Sequence, residues 1–150
     1  MPTEKTILLL DSDRNLRETL ALIFRRAGYC VFSAIDVEKA QVYLRDLSCD
    51  LAILDLSTGD ADEIKIVSDL RASQPGLPIL LLTGNPPFDL EQFAREYQIT
   101  GYLQKPVDPT NILNWVEEVF QKKKSSSNDR SEDDGPVPNA PRKVLYRHRW

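Results

Sequence analysis

Short apolar runs alternate with stretches in which apolar residues recur every three or four positions. Thr6–Leu10 (TILLL), Tyr29–Ala34 (YCVFSA), Leu51–Leu54, Pro78–Leu82 (PILLL) and the brief Gly101–Leu103 read as five strands. Between them, Leu16, Leu20, Ile23, Phe24 and Ala27 keep helical spacing until Gly28 stops them. Asp36 is placed to cap a second helix carrying Val37, Ala40, Val42, Tyr43 and Leu44. Ile64, Val67, Leu70 and Arg71 belong to a third, which ends near Gln74-Pro75-Gly76. Asp89 caps a fourth with Phe93, Ala94 and Tyr97, and Asp108-Pro109 opens a fifth through Ile112, Leu113, Val116 and Phe120. Strands that alternate with helices imply βαβ units and a parallel sheet. The first, third and fourth strands are apolar at nearly every position, so both sheet faces should be covered. Right-handed crossovers then give an α/β, doubly wound, five-stranded parallel sheet flanked by five helices.

The pattern stops at Gln121. The next stretch, KKKSSSNDRSEDDGPVPNAPRK, is polar and Pro-containing, and predicts a flexible, disordered tail over 122–150 after a domain at 4–121. Charge divides at the same point. Residues 1–121 hold 11 basic and 19 acidic side chains, net −8, whereas 122–150 hold 8 and 4, net +4. An acidic body argues against nucleic-acid binding by the body, because phosphate contacts need clustered Lys and Arg. The tail ends in RKVLYRHRW (Arg142–Trp150), basic and aromatic, a composition that can dock on an acidic protein surface, a membrane or nucleic acid.

Composition narrows the chemistry. With 41% apolar and 28% charged residues the chain reads as soluble and globular, and its apolar runs are too short to span a bilayer. MPTEKTILLLDSD meets an acid too early for a signal peptide, so a cytoplasmic protein with Cys30 and Cys49 as reduced thiols is expected. The lone His148 lies in the tail, so the body holds neither a Ser-His-Asp triad nor a His metal site, and no Walker-type or GxGxxG loop is present. Carboxylates, hydroxyls and lysine remain.

In open parallel α/β sheets ligands bind outside the carboxyl ends of the strands. The first strand ends in Asp11-Ser12-Asp13, the third in Asp55, the fourth in Thr83 and the fifth in Gln104-Lys105-Pro106. Two carboxylates that converge on one rim invite a divalent cation, and hard oxygen ligands suit Mg²⁺. Lysine and threonine beside them suit an anion such as a phosphoryl group. The chemistry suggested is phosphoryl transfer to a carboxylate.

The ordered set ILLLDSD, DLAILDL, PILLLTG and GYLQKP closely resembles the receiver domain of two-component response regulators, over about residues 4–121. That resemblance implies a flavodoxin-like strand order of 2-1-3-4-5. It makes Asp55 the acceptor of a phosphoryl group from a sensor histidine kinase or phosphotransfer protein. Asp11, Asp55 and the backbone carbonyl of Ser57 would hold Mg²⁺, and Thr83 and Lys105 would contact the phosphoryl oxygens, with Gly84 leaving room. Thr83 and the aromatic Tyr102 would form the switch, and the helix 4, strand 5 and helix 5 face would signal to a downstream protein. Such a domain is a regulated binding module, not an enzyme. The Lys105-Pro106 peptide is expected to be cis.

Three departures from the family pattern stand out. Ser12 occupies the place of a second acidic metal ligand, which removes a full charge from the cation site. The loop after Asp55 reads STGDADE, without the usual Pro-Gly pattern, and Pro86-Pro87 stiffens the segment after Thr83. Ser12 motivates an alternative, a pseudo-receiver that docks proteins without phosphorylation. A remote alternative is a small haloacid-dehalogenase-type phosphatase, to which LLLDSD, PILLLTG and Lys105 also correspond. Asn15 and the lack of a later acidic pair depart from that pattern. The sequence is silent on cognate kinase, output partner and oligomeric state.

Overall fold

A computed structural model of the chain describes residues 4–56, 59–84 and 89–128, with side chains as far as Lys122. Ten elements alternate: β1 (Thr6–Leu10), α1 (Arg14–Arg26), β2 (Cys30–Ala34), α2 (Val37–Asp46), β3 (Leu51–Asp55), α3 (Ala61–Ser73), β4 (Ile79–Thr83), α4 (Leu90–Glu96), β5 (Gly101–Gln104) and α5 (Pro109–Asn128). All five strands are parallel, in the order 2-1-3-4-5. The winding reverses beside β1, so the carboxyl ends of β1, β3, β4 and β5 lie side by side at one edge.

Both faces of the sheet are covered, as the unbroken apolar strands require. On one face Ile7, Leu9, Ile53, Leu80 and Leu82 pack under Phe24 of α1 and Ile112, Trp115 and Val116 of α5. On the other, Leu8, Leu10, Ala52, Leu54 and Leu81 meet Ala40 of α2, Ile66, Val67 and Leu70 of α3, and Phe93 and Ala94 of α4. Every position of β3 and of β4 is buried. That continuity distinguishes these central strands from the edge strand β2, where only Val31 and Ala34 are fully buried.

Helix starts are set by their side chains. Asp13, Asp36, Asp60 and Asp89 each accept a hydrogen bond from the backbone N–H three residues on, and Asp108 accepts one from Thr110 N. Gly28 closes α1 with φ +99°, a conformation that a side chain would strain. Arg71 lies in α3, as its spacing predicts, and its charged head has a further role. Its guanidinium donates to the carbonyls of Gln74, Pro75, Leu77, Tyr97 and Gln98, and so ties the end of α3 to the end of α4. The last helix runs past Gln121, the boundary expected from composition, to Asn128. Lys and Ser are compatible with prolonging a helix already nucleated. Residues 129–150, including the basic segment Arg142–Trp150, lie outside the described residues. Among the described residues, no helix is long and apolar enough to cross a membrane.

Candidate functional site

β1, β3 and β4 each deliver one polar group to the rim at the point where their apolar run ends. Asp11 comes directly after β1, its N–H donating to Ala34 O at 3.1 Å as one further rung of the β1–β2 ladder. It is fully buried at 0% exposure. Its Oδ1 accepts from Asp13 N at 2.9 Å, and its carbonyl accepts from the Arg17 guanidinium at 2.8 Å. Asp55 is the last residue of β3, opposite Leu82, and Thr83 is the last of β4, opposite Gln104. Both are buried, at 7% and 1% exposure.

Lys105 closes the arrangement from the β5 side. Its backbone N–H donates to Thr83 O at 2.9 Å, which fixes the turn after β5 against the end of β4. Its Nζ then bridges the two carboxylates, 3.1 Å from Asp11 Oδ1 and 3.1 Å from Asp55 Oδ2. The peptide between Lys105 and Pro106 is cis. The fold therefore brings together Asp11, Asp55, Thr83 and Lys105, residues separated by up to 94 positions in the chain.

Three side-chain oxygens remain. Asp11 Oδ2, Asp55 Oδ1 and Thr83 Oγ1 are buried and have no hydrogen-bond partner among the described residues. Buried polar groups are almost always paired, so three orphans on neighbouring strand ends mark a place built for a ligand. Two are carboxylate oxygens, the donors a hard cation prefers, and the third is a hydroxyl that can donate to an anion. The donor set fits Mg²⁺, although side chains supply only two carboxylates. Among the described residues no group of three or more His, Cys, Asp or Glu is gathered for a metal.

The electrostatics agree with this geometry. Burial, together with the neighbouring Asp11 carboxylate, pushes the Asp55 carboxyl up to about 6, and Lys105 only partly offsets that. Burial works against the charge on Lys105, yet Asp11 and Asp55 outweigh it and hold its ammonium above the ordinary lysine value. Two acids and one cation leave the pocket one negative charge in excess.

The other expected site residues are distributed more widely. Ser12 is exposed beside the pocket, and Asp13 serves as the α1 cap. A side chain at Gly84 would meet open space. Tyr102 is half-buried on the α4 side of β5, packed against the cluster that contains Phe93. Ser57 and Pro86-Pro87 lie outside the described residues. Sequence reasoning takes Asp60, Asp62 and Glu63 as a solvated helix start. In the fold Asp60 caps α3, and Glu63 reaches back to accept from Gly59 N at 2.7 Å. The spacing D-x-x-E is the signal for that cap.

A family model described as the response regulator receiver domain matches residues 7–117. Among curated proteins, the transcriptional regulatory protein GlrR of Escherichia coli (strain K12) is 25% identical over 124 residues, 83% of this chain. The chain spans only 28% of the length of GlrR. Among solved structures, a CheY-like receiver domain protein from Methanospirillum hungatei JF-1 superposes with a TM-score of 0.74 at 21% identity. The match covers 83% of this chain and 99% of that one. The response regulator TrrA of Thermotoga maritima, in complex with Mg²⁺-BeF, gives 0.64 at 23% identity, covering 77% and 98%.

Proposed function

The chain belongs to the response regulator receiver domain family, and on that premise we propose that it takes a phosphoryl group from a histidine kinase onto Asp55. A receiver domain serves two-component signalling and is not an enzyme in the ordinary sense, which sets aside the phosphatase alternative. The observation that carries the acceptor reading is the set of orphaned buried oxygens on Asp11, Asp55 and Thr83 around the Lys105 ammonium.

In this reading a carboxylate oxygen of Asp55 attacks the phosphorus in line with the P–N bond of a phosphohistidine. The P–O bond forms, the P–N bond breaks, and its electron pair returns to the imidazole. Lys105 Nζ and Thr83 Oγ1 donate to the oxygens of the transferred group, charge-assisted bonds aimed where negative charge gathers. Asp11 Oδ2 and Asp55 Oδ1 would hold Mg²⁺, with the Ser57 carbonyl as a third ligand. When bound, the ion neutralises the surplus negative charge and polarises the phosphoryl oxygens. Ser12 contributes no charge, so the ion is held more weakly than in a site with a second acid. Thr83 and Tyr102 would relay occupancy to the face formed by α4, β5 and α5, where a downstream protein docks.

Acetyl phosphate with Mg²⁺ should add one phosphoryl group, read by intact mass, and Asp55→Asn should abolish it. No adduct at saturating donor would favour the second reading, which Ser12 motivates: a pseudo-receiver used as a phosphorylation-independent docking module.

A further inference from the structure

β2 is an edge strand of the sheet, so part of its backbone faces away from any neighbour. Cys30 N–H donates to Lys5 O and Ala34 O accepts from Asp11 N, which turns the backbone groups of Cys30, Phe32 and Ala34 towards β1. Directions alternate along a strand, so the N–H and C=O groups of Val31 and Ser33 point outwards. An edge of that kind is a template for a further strand. Here both outward carbonyls are already occupied. Arg25 Nη2 donates to Val31 O at 3.0 Å, and Tyr43 Oη donates to Ser33 O at 3.1 Å. The two donors arrive from opposite faces of the sheet, Arg25 from α1 and Tyr43 from α2.

We infer that Arg25 and Tyr43 close the outer edge of β2 to strand addition, and that the strand they exclude is β2 of a second copy of this chain. Each contact alone has an ordinary role: Arg25 staples the turn between α1 and β2, and Tyr43 anchors α2. Anchoring does not require that the two donors end on the two outward carbonyls of one edge strand, whereas closure does.

A second copy fits for reasons of symmetry. Two β2 strands related by a two-fold axis at Phe32 set Val31 of one opposite Ser33 of the other. Such a pair in an antiparallel ladder exchanges both of its N–H···O bonds. Exposed apolar surface borders the same edge, since Leu22 belongs to α1, Ile35 follows β2 and Val42 belongs to α2. Charge acts against the pairing. The axis would bring Arg25 of one copy towards Tyr43 of the other, and Lys39 Nζ lies over that ring at 5.2 Å. Like charges across a strand edge are unfavourable, so closure works by occupancy and by repulsion together.

Sedimentation velocity on the full chain, from about 10 µM to about 1 mM, covers the affinities of small interfaces. The parent should stay monomeric, with the Val31 and Ser33 amides exchanging for deuterium at least about tenfold faster than those of Cys30 and Phe32. Arg25→Met/Tyr43→Phe removes both donors. It should dimerise within that range, reversibly on dilution, and slow the exchange of Val31 and Ser33 by about tenfold or more. Adding Ser33→Pro deletes an outward N–H, a change that edge strands tolerate, and should restore the monomer. Adding Ile35→Lys instead places a charge at the exposed end of the edge and should do the same. A double variant that stays monomeric overturns the proposal. So does a dimer whose Val31 and Ser33 amides exchange as in the parent, or one that survives either added substitution. A parent that already dimerises with those amides protected overturns it as well. Tyr43→Phe alone keeps the ring 5.2 Å from that of Phe32 and decides the matter if the double variant fails to fold. Weaker dimerisation with the same protected amides then supports closure, and a monomer at about 1 mM overturns it.

Discussion

Replacing Asp55 by asparagine should stabilise the protein when no divalent cation is present. Asp55 is 7% exposed, and its carboxyl is pushed from 3.8 up to about 6, first by burial and then by Asp11. Keeping it ionised in the fold at neutral pH therefore costs about 3 kcal/mol relative to the unfolded chain. The Asp55→Asn amide keeps the shape, removes the charge and leaves the Lys105–Asp11 ion pair of 3.1 Å in place. Allowing for relaxation around a charge so near the rim, the gain should be about 1–3 kcal/mol, or roughly 4–12 °C in Tm for a domain of this size. The pH dependence is the sharper test. Between about pH 4 and pH 6 the native state binds more protons than the unfolded chain, so stability from this group falls as pH rises. The deficit is nearly complete by about pH 6, and the advantage of Asp55→Asn should be full at about pH 8, about halved at about pH 5 and largely gone at about pH 4. Thermal unfolding followed by circular dichroism in a chelating buffer measures it. An Asp55→Asn protein less stable than its parent at the highest pH, or with the same advantage at about pH 8 and about pH 4, would refute the account of a pocket strained by surplus charge.

Three other outcomes rest on named contacts. Ser12→Asp restores a carboxylate beside Asp11 and should tighten Mg²⁺ binding by about tenfold or more, measured calorimetrically, since an added charge near a divalent ion outweighs its own desolvation at an exposed position. A side chain at Gly101 meets Trp115 Cζ2 at 3.3 Å, so Gly101→Val should cost about 1–3 kcal/mol in urea unfolding; an unchanged midpoint would mean that α5 yields freely. Arg71→Met strips donors from five carbonyls, partly exposed, and should cost about 2–4 kcal/mol in the same urea assay, while Arg71→Lys recovers only a small part of that.

The βα alternation, the double winding and the four rim residues Asp11, Asp55, Thr83 and Lys105 are legible in the chain because each rests on a local signal. Periodicity defines an element, an aspartate caps it, and the residue after an apolar strand must lie at its carboxyl end. Periodicity places Arg71 in α3 but is silent on its role, because its carbonyl partners lie beyond α3 and after α4, which no local pattern reports. The α3 cap at Asp60 is hidden by neighbouring acids, any of which looks like a solvated helix start. The groove that Asp36, Glu38, Asp60 and Asp62 line between the starts of α2 and α3 is invisible for a different reason. Its two walls belong to α2 and α3, and only the strand order 2-1-3 sets their N-termini side by side.

The bridge from Lys105 to Asp11 and Asp55 has a consequence for how the pocket responds to anything that enters it. The two 3.1 Å contacts mean that the acids already possess a counter-ion, delivered by the chain itself from the far side of β4. A newcomer therefore enters beside an ion pair already formed. A cation on Asp11 Oδ2 and Asp55 Oδ1 shares both carboxylates with the ammonium, whereas a phosphoryl group draws the ammonium off them. For the phosphoryl group the net gain is the difference between two sets of bonds. Because the Lys105 backbone is tied to Thr83, that exchange pulls on the junction of β4 and β5. The residue that offsets the charge of the resting rim is thus also the one through which a change of partner is felt by the sheet.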